Sequence, residues 1–148
     1  MLDKNVITIG AKERIIFRNA LKEKVVARVD TGAKTSSVHC VKFWFDKQPG
    51  KKPLNFVLVN EKATPLKTLN YKKRYVKSSN GEIDVRYSVM LEVKMGKAIF
   101  NAEFTLAQRE HMRYKVLLGR NILTGRFLVD VEKKFLLRKK KVNSELVK

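Results

Sequence analysis

Short stretches of alternating or β-branched residues, interrupted by Gly, Pro or Asn, run the length of this chain and leave almost no room for helix. Strands are expected at 6–9, 14–17 and 25–29, with the first two joined around Gly10. Residues 38–45 should form another strand, with Val38, Cys40, Lys42 and Trp44 on one side and His39, Val41, Phe43 and Phe45 on the other. Both sides are largely apolar, so either both faces are covered within the chain or one is covered by a partner chain. The Pro- and Gly-rich segment 48–53 is a loop. A strand at 54–59 follows. Asn80-Gly81, between runs at 71–77 and 82–87, is a strong hairpin signal. A second hairpin turns at Gly96 between 88–94 and 98–106. Residues 114–118 run apolar into Gly119, then 122–125 has the length of one helical turn closed by glycine. Strands at 127–131 and 135–137 complete the pattern, which predicts an all-β barrel or sandwich with one short helix.

At 148 residues, with 44% apolar residues, eight Phe and four Tyr, the chain can bury one core without disulfides or a structural metal. We therefore expect a single domain over 1–148, with a basic tail from about Arg138. Cys40 is the lone cysteine, which excludes an intrachain disulfide and suits a reducing cytoplasm. No apolar run is long enough for a membrane helix, and Met-Leu-Asp-Lys-Asn is not built like a signal peptide, so no membrane partner is expected. The 33 Lys and Arg against 14 Asp and Glu give a net charge of +19, suited to an acidic substrate or to nucleic acid.

Within this framework, 25–37 carries the chemistry. The strand ending at Val29 breaks into Asp30-Thr31-Gly32, which places a carboxylate at the start of a tight turn. Gly32 is expected to take a backbone conformation that a larger residue would resist, aiming amide N–H groups at Asp30. A plain β-turn after a strand has the same composition. What distinguishes the two is the second stretch, Leu118-Gly119-Arg120 followed by Asn121-Ile122-Leu123, an apolar strand running through a Gly-Arg turn into a short helix.

A single hydrophobic-Asp-Thr-Gly-Ala with that downstream partner resembles the retropepsin-like aspartic peptidases, and the order of hairpins from Val25 to Leu123 agrees. More narrowly, the stretches around Asp30, Asn80-Gly81 and Gly119 resemble a bacterial group labelled ATP-dependent zinc proteases. The resemblance implies a closed β-barrel of the acid-protease type acting as an endopeptidase at a homodimer axis. It implies that Asp30 is catalytic, with Thr31 and Gly32 shaping its loop. It places Arg28, Ala33 and Lys34 and the hairpin residues Ser78, Ser79, Asn80 and Gly81 against the peptide, with Leu118, Gly119 and Arg120 supporting the turn. One Asp cannot both activate water and donate a proton, whereas two close carboxylates can share one proton. Asp-Thr-Gly occurs once here, so the second copy must come from a twin.

Two residues depart from the family pattern. Lys34 stands where an acid is usual and Arg28 where an aliphatic residue is usual, and alternation along the strand puts Arg28 on the side of Asp30. Both suit the carboxylates of a Glu-rich or C-terminal substrate, and the resemblance implies an association of this bacterial group with ligases that add glutamates. No Gly-rich Lys-Ser or Lys-Thr loop suggests nucleotide binding, and no cofactor is expected. His39, Cys40 and His111 are the only good soft ligands; His39 and Cys40, neighbours on a strand, should point to opposite faces, and no metal site is expected. The rival reading is a catalytically silent basic barrel that binds RNA or ribosomes, using aromatic residues set among cations as in Tyr71-Lys72-Lys73-Arg74-Tyr75.

Overall fold

The computed structural model describes residues 6–77 and 80–138. It is all-β apart from one short helix, in the order β1 Ile7–Ile9, β2 Lys12–Phe17, β3 Val25–Val29, β4 Ser36–Phe45, β5 Leu54–Leu58, β6 Leu66–Thr68, β7 Tyr71–Lys77, β8 Ile83–Met95, β9 Ala98–Ala107, β10 Val116–Leu118, α1 Arg120–Leu123 and β11 Phe127–Val129.

Six strands pair in a ring, β10 to β3, β2, β8, β9, β4 and back to β10. Two of these pairings, β10 with β3 and β4 with β9, are parallel. The ring encloses Ile15, Phe17, Ala27, Val38, Val89, Val93, Phe104, Val116 and Leu118, all essentially removed from water. Phe17 and Phe104 meet edge to face at 5.4 Å between ring centroids, an arrangement favoured by the aromatic quadrupole. Each contributes to the ring because alternate residues of a strand share a face, so β2 buries Glu13, Ile15 and Phe17 and exposes Arg14.

Several expectations change. The two hairpins expected on either side of residue 88 share one continuous 13-residue strand, β8, which pairs with β7 at one end and β9 at the other. No turn former separates Tyr87 from Ser88, so nothing breaks the ladder. β1 does not pair with β2 across Gly10; it runs parallel to β11. Gly10 instead lies against the backbone of Lys133 and Lys134, which would collide with any Cβ there. Residues 135–137 are not a strand. Phe135 has φ +53°, and the Leu136 and Leu137 amides donate to the buried Glu13 carboxylate at 2.9 and 3.1 Å. The strand expected at 114–118 begins only at Val116, since the Tyr114 carbonyl accepts from Arg109 Nε and the Lys115 carbonyl from the His39 amide.

β4 answers the question raised by its two apolar sides. Ser36, Val38, His39 and Cys40 are buried, so its first half is covered on both faces. A bulge between Cys40 and Lys42 then shifts the phase, leaving Phe43 46% and Trp44 40% exposed while Phe45 packs on the core. Among the described residues no helix is long and apolar enough to cross a membrane.

Candidate active site at the Asp30 turn

Ala27 is buried and Val29 packs on the core, so Arg28 and Asp30 alternate to the other side of β3. β10 lies between β3 and β4: Val116 is opposite both Ala27 and Val38. The Asp30 amide extends the β3 to β10 pairing by donating to the Leu118 carbonyl at 2.8 Å. The turn joining β3 to β4 must therefore pass across the end of β10, where Gly119 sits. A Cβ on Gly119 would collide with the Thr35 carbonyl and lie 2.9 Å from the Ala33 carbonyl oxygen. Glycine is what permits this crossing.

The helix that follows grips the turn from behind. Arg120 N donates to the Ala33 carbonyl at 2.8 Å and Asn121 N to the Lys34 carbonyl at 3.2 Å, while the Arg120 guanidinium donates to the Thr31 carbonyl at 3.1 Å. Buried Ser36 completes the lock: its hydroxyl accepts from Gly119 N at 2.9 Å and donates to Asn121 Oδ1 at 2.7 Å. Asn121 Nδ2 then donates to the Glu103 carbonyl at 2.9 Å. The sequence reading missed Ser36 and Asn121. Their only signal is position, one past the end of the turn and one past Gly-Arg.

Asp30 is half-buried, and Thr31 and Gly32 are exposed. The Asp30 Oδ1 accepts the Gly32 amide at 3.1 Å, the one N–H bond to this carboxylate among the described residues. Gly32 does not adopt a left-handed conformation, contrary to expectation, and a Cβ there would meet only Asp30 Oδ1, at 3.4 Å. Its smallness keeps the mouth of the carboxylate open; the backbone itself would tolerate a side chain. Lys34 is exposed, Ala33 half-buried and Leu118 fully buried.

In the β7–β8 hairpin, Gly81 has φ +88° and Asn80 Oδ1 accepts the Glu82 amide at 3.1 Å, the turn chemistry expected of Asn-Gly. Ser78 and Ser79 lie outside the described residues. At the root of the hairpin, Glu103 accepts from Ser88 Oγ at 2.5 Å and pairs with Arg74 at 2.7 Å. Burial alone would raise the Glu103 pKa, but these two bonds outweigh it and hold the carboxyl below its ordinary value.

His39 and Cys40 are engaged elsewhere. His39 Nδ1 accepts the Arg109 amide at 2.9 Å, which puts the ring proton on Nε2. Cys40 Sγ donates to the Lys42 carbonyl at 3.2 Å, and burial pushes the thiol pKa up. No group of three His, Cys, Asp or Glu suited to a metal occurs among the described residues. Burial, followed by the Lys115 ammonium, lowers the His39 pKa below its ordinary 6.5. Below pH 6.5 the unfolded chain thus binds the proton first, and stability falls until the folded-state pKa is reached. Thermal melts should show the wild type losing stability through that window, and His39→Gln should remove that part of the slope.

A family model described as RimB-like, retropepsin-like aspartic endopeptidase RimB, matches residues 8–140. The chain belongs to this RimB-like family. A probable alpha-L-glutamate ligase of Shewanella halifaxensis is 34% identical over 141 residues, covering 92% of this chain and 31% of that protein. One from Shewanella pealeana is 33% identical over 144 residues, covering 94% and 31% respectively. The chain thus spans under a third of the length of these curated relatives. A Legionella pneumophila protein of unknown function shares the fold, with a TM-score of 0.69 and 24% identity over 89% of this chain and 98% of its own. The zinc-protease label attached to the narrower bacterial group does not appear among these matches. RimB-like membership is the firmer statement.

Proposed function

We propose that this RimB-like chain is one half of an aspartic endopeptidase, with the Asp30 residues of two copies meeting at a symmetry axis to cut acidic, Glu-rich peptides. In that pair, one carboxylate takes a proton from water while the other, protonated, polarises the scissile carbonyl. Water adds to the carbonyl carbon, the C–N bond breaks, and the amine leaves with a proton from the dyad.

The observation that carries the reading is the locked crossing at Gly119. It fixes a half-buried carboxylate in an exposed turn by backbone bonds to β10 and α1, with a close approach that only glycine allows, which is more anchoring than a mere connection needs. The six-strand ring supports a closed barrel, and family membership supports the peptidase chemistry. In this reading Thr31 bonds across the axis. Asn80 and Gly81 close over the peptide together with Ser78 and Ser79, and Arg28, Ala33 and Lys34 receive its side chains. The relatives are named for joining glutamate, so a protein carrying both regions would hold glutamate-bearing chains close to this site.

A dimeric site has a kinetic signature. With a Glu-rich peptide, specific activity should rise with protein concentration and then level off, and a statine-type transition-state mimic should abolish it. Activity strictly proportional to protein down to the greatest dilution, or indifferent to the mimic, contradicts the proposal.

The silent RNA-binding reading is favoured by one contact. Lys73 Nζ lies 5.8 Å from the ring of Tyr75, which is 67% exposed and free to stack. Salt-dependent RNA binding that survives Asp30→Asn, without peptide cleavage, would select it.

A further inference from the structure

A cleft of 630 Å³ opens on the Arg28 side of β3. Lys12, Arg28, Arg109, Arg113, Lys133 and Lys134 line it, with Glu132 the one acid among the lining residues. None of the six cations is ion-paired among the described residues, where the pairs are Arg18 with Glu92, Lys67 with Asp46 and Arg74 with Glu103. Like charges around a concavity repel one another until an anion enters, and low-dielectric walls focus their field inward.

The cleft is held in shape. Arg109 Nε donates to the Tyr114 carbonyl at 2.9 Å and its amide to His39 Nδ1 at 2.9 Å, while Lys115 Nζ donates to the Arg109 carbonyl at 3.2 Å and to the Glu110 carbonyl. Arg109 is half-buried; its backbone is held by the bonds to His39 and Lys115, and its guanidinium is oriented by the single Nε bond to the Tyr114 carbonyl, which leaves both terminal NH2 groups to meet a carboxylate. Arg28 connects the cleft to the turn, since two residues of strand separate it from Asp30 by about 7 Å. An extended peptide advances about 3.4 Å per residue, so side chains a few positions from a bond at Asp30 would pass over these cations.

Carboxylates suit the cleft better than nucleotides. Tyr114 is the one aromatic residue in its lining; it is half-buried, and Lys12 and Arg113 already lie 5.9 and 5.5 Å from its ring centroid, so the cleft offers little surface on which bases could stack. We propose that this cleft anchors the acidic flank of the peptide away from the scissile bond, with Arg109, Arg113 and Lys134 among the cations that receive its carboxylates. The proposal rests on the peptidase reading but extends it to residues beyond the Asp30 turn.

Binding of fluorescent hexaglutamate to the Asp30→Asn protein tests it without any cleavage. Arg113→Glu with Lys134→Glu should weaken that binding by about tenfold or more, and the loss should shrink at high salt. Lys24→Glu with Lys97→Glu makes the same change in net charge in a separate, mainly apolar cleft, and should alter binding by less than about twofold. In the catalytically intact protein, the cleft pair should lower the kcat/KM ratio of acidic to neutral peptide chiefly through KM. Equal effects of the two pairs, or loss of oligouridylate binding with hexaglutamate binding retained, would overturn the proposal. Cleavage of the acidic peptide with wild-type KM by the cleft pair would refute this assignment alone. Hexaglutamate binding weakened as expected in a protein that cleaves nothing would instead refute the peptidase reading alone.

Discussion

Asp30→Asn should lower the kcat of Glu-rich peptide cleavage by about 10³-fold while leaving the protein folded. Asparagine is nearly the same size and its Oδ1 can still accept the Gly32 amide, the bond that aspartate makes at 3.1 Å. The stability change should therefore stay within about 0.5 kcal/mol. What disappears is the ionisable proton site, which an amide cannot replace in either the acid or the base role. In a mixture, dimers that join a wild-type copy to an Asp30→Asn copy would lack the shared proton, so excess variant should suppress wild-type activity. Steady-state kinetics on the same peptide, with thermal melts of both proteins, check the two halves of this prediction. Cleavage persisting within about tenfold of wild type would remove Asp30 from the chemistry.

Gly119→Ala carries the second large effect, and here stability and activity should fall together. The added Cβ meets the backbone of Thr35 and lies 2.9 Å from the Ala33 carbonyl oxygen, and backbone has no rotamer to yield. Overpacking of this kind costs about 3 kcal/mol, and relief can come only by lifting the Asp30 turn off α1. Such a movement breaks the bonds from Arg120 N and Asn121 N to the turn carbonyls and strips Gly119 N from the Ser36 hydroxyl. Gly32→Ala is the informative contrast. Its Cβ meets only Asp30 Oδ1, at 3.4 Å, and its φ is outside the left-handed region, so stability should change by about 0.5 kcal/mol or less. Chemical denaturation of the two variants separates a glycine that the crossing requires from one that merely keeps a carboxylate uncovered.

Much of this arrangement is legible in the sequence, and the parts that are not have physical reasons. Local signals are read well. Val25–Val29 is β-branched and ends at Asp30 as expected, and Asn80-Gly81 turns its hairpin with Gly81 at φ +88°. Signals fail where distant groups take over the backbone. Residues 135–137 look like a strand, yet the Glu13 carboxylate takes the Leu136 and Leu137 amides that a ladder would need. Nothing near Glu13 in sequence reveals a receptor for a segment so far along the chain. The short β6, Leu66–Thr68, is held by pairing with β5 and has no periodicity of its own length to announce it.

The site divides in the same way. The Asp30 turn and Gly119 carry recognisable motifs, so the link between them is legible in the sequence. Ser36, Asn121 and Arg109 are ordinary polar residues whose roles arise from a parallel strand pairing and a loop stapled by Lys115, and neither feature is written locally. Arg28 was legible by alternation alone, because strand periodicity needs no long-range information.

The central claim is that one polypeptide supplies one of two carboxylates that share a proton. The most direct measurement is the distance between the Asp30 carboxyl groups of paired copies in a crystal grown with a transition-state mimic. The account predicts oxygens about 3 Å apart across a two-fold axis, in contact with the mimic. Copies that associate through another surface, each leaving its Asp30 open to solvent, would contradict it.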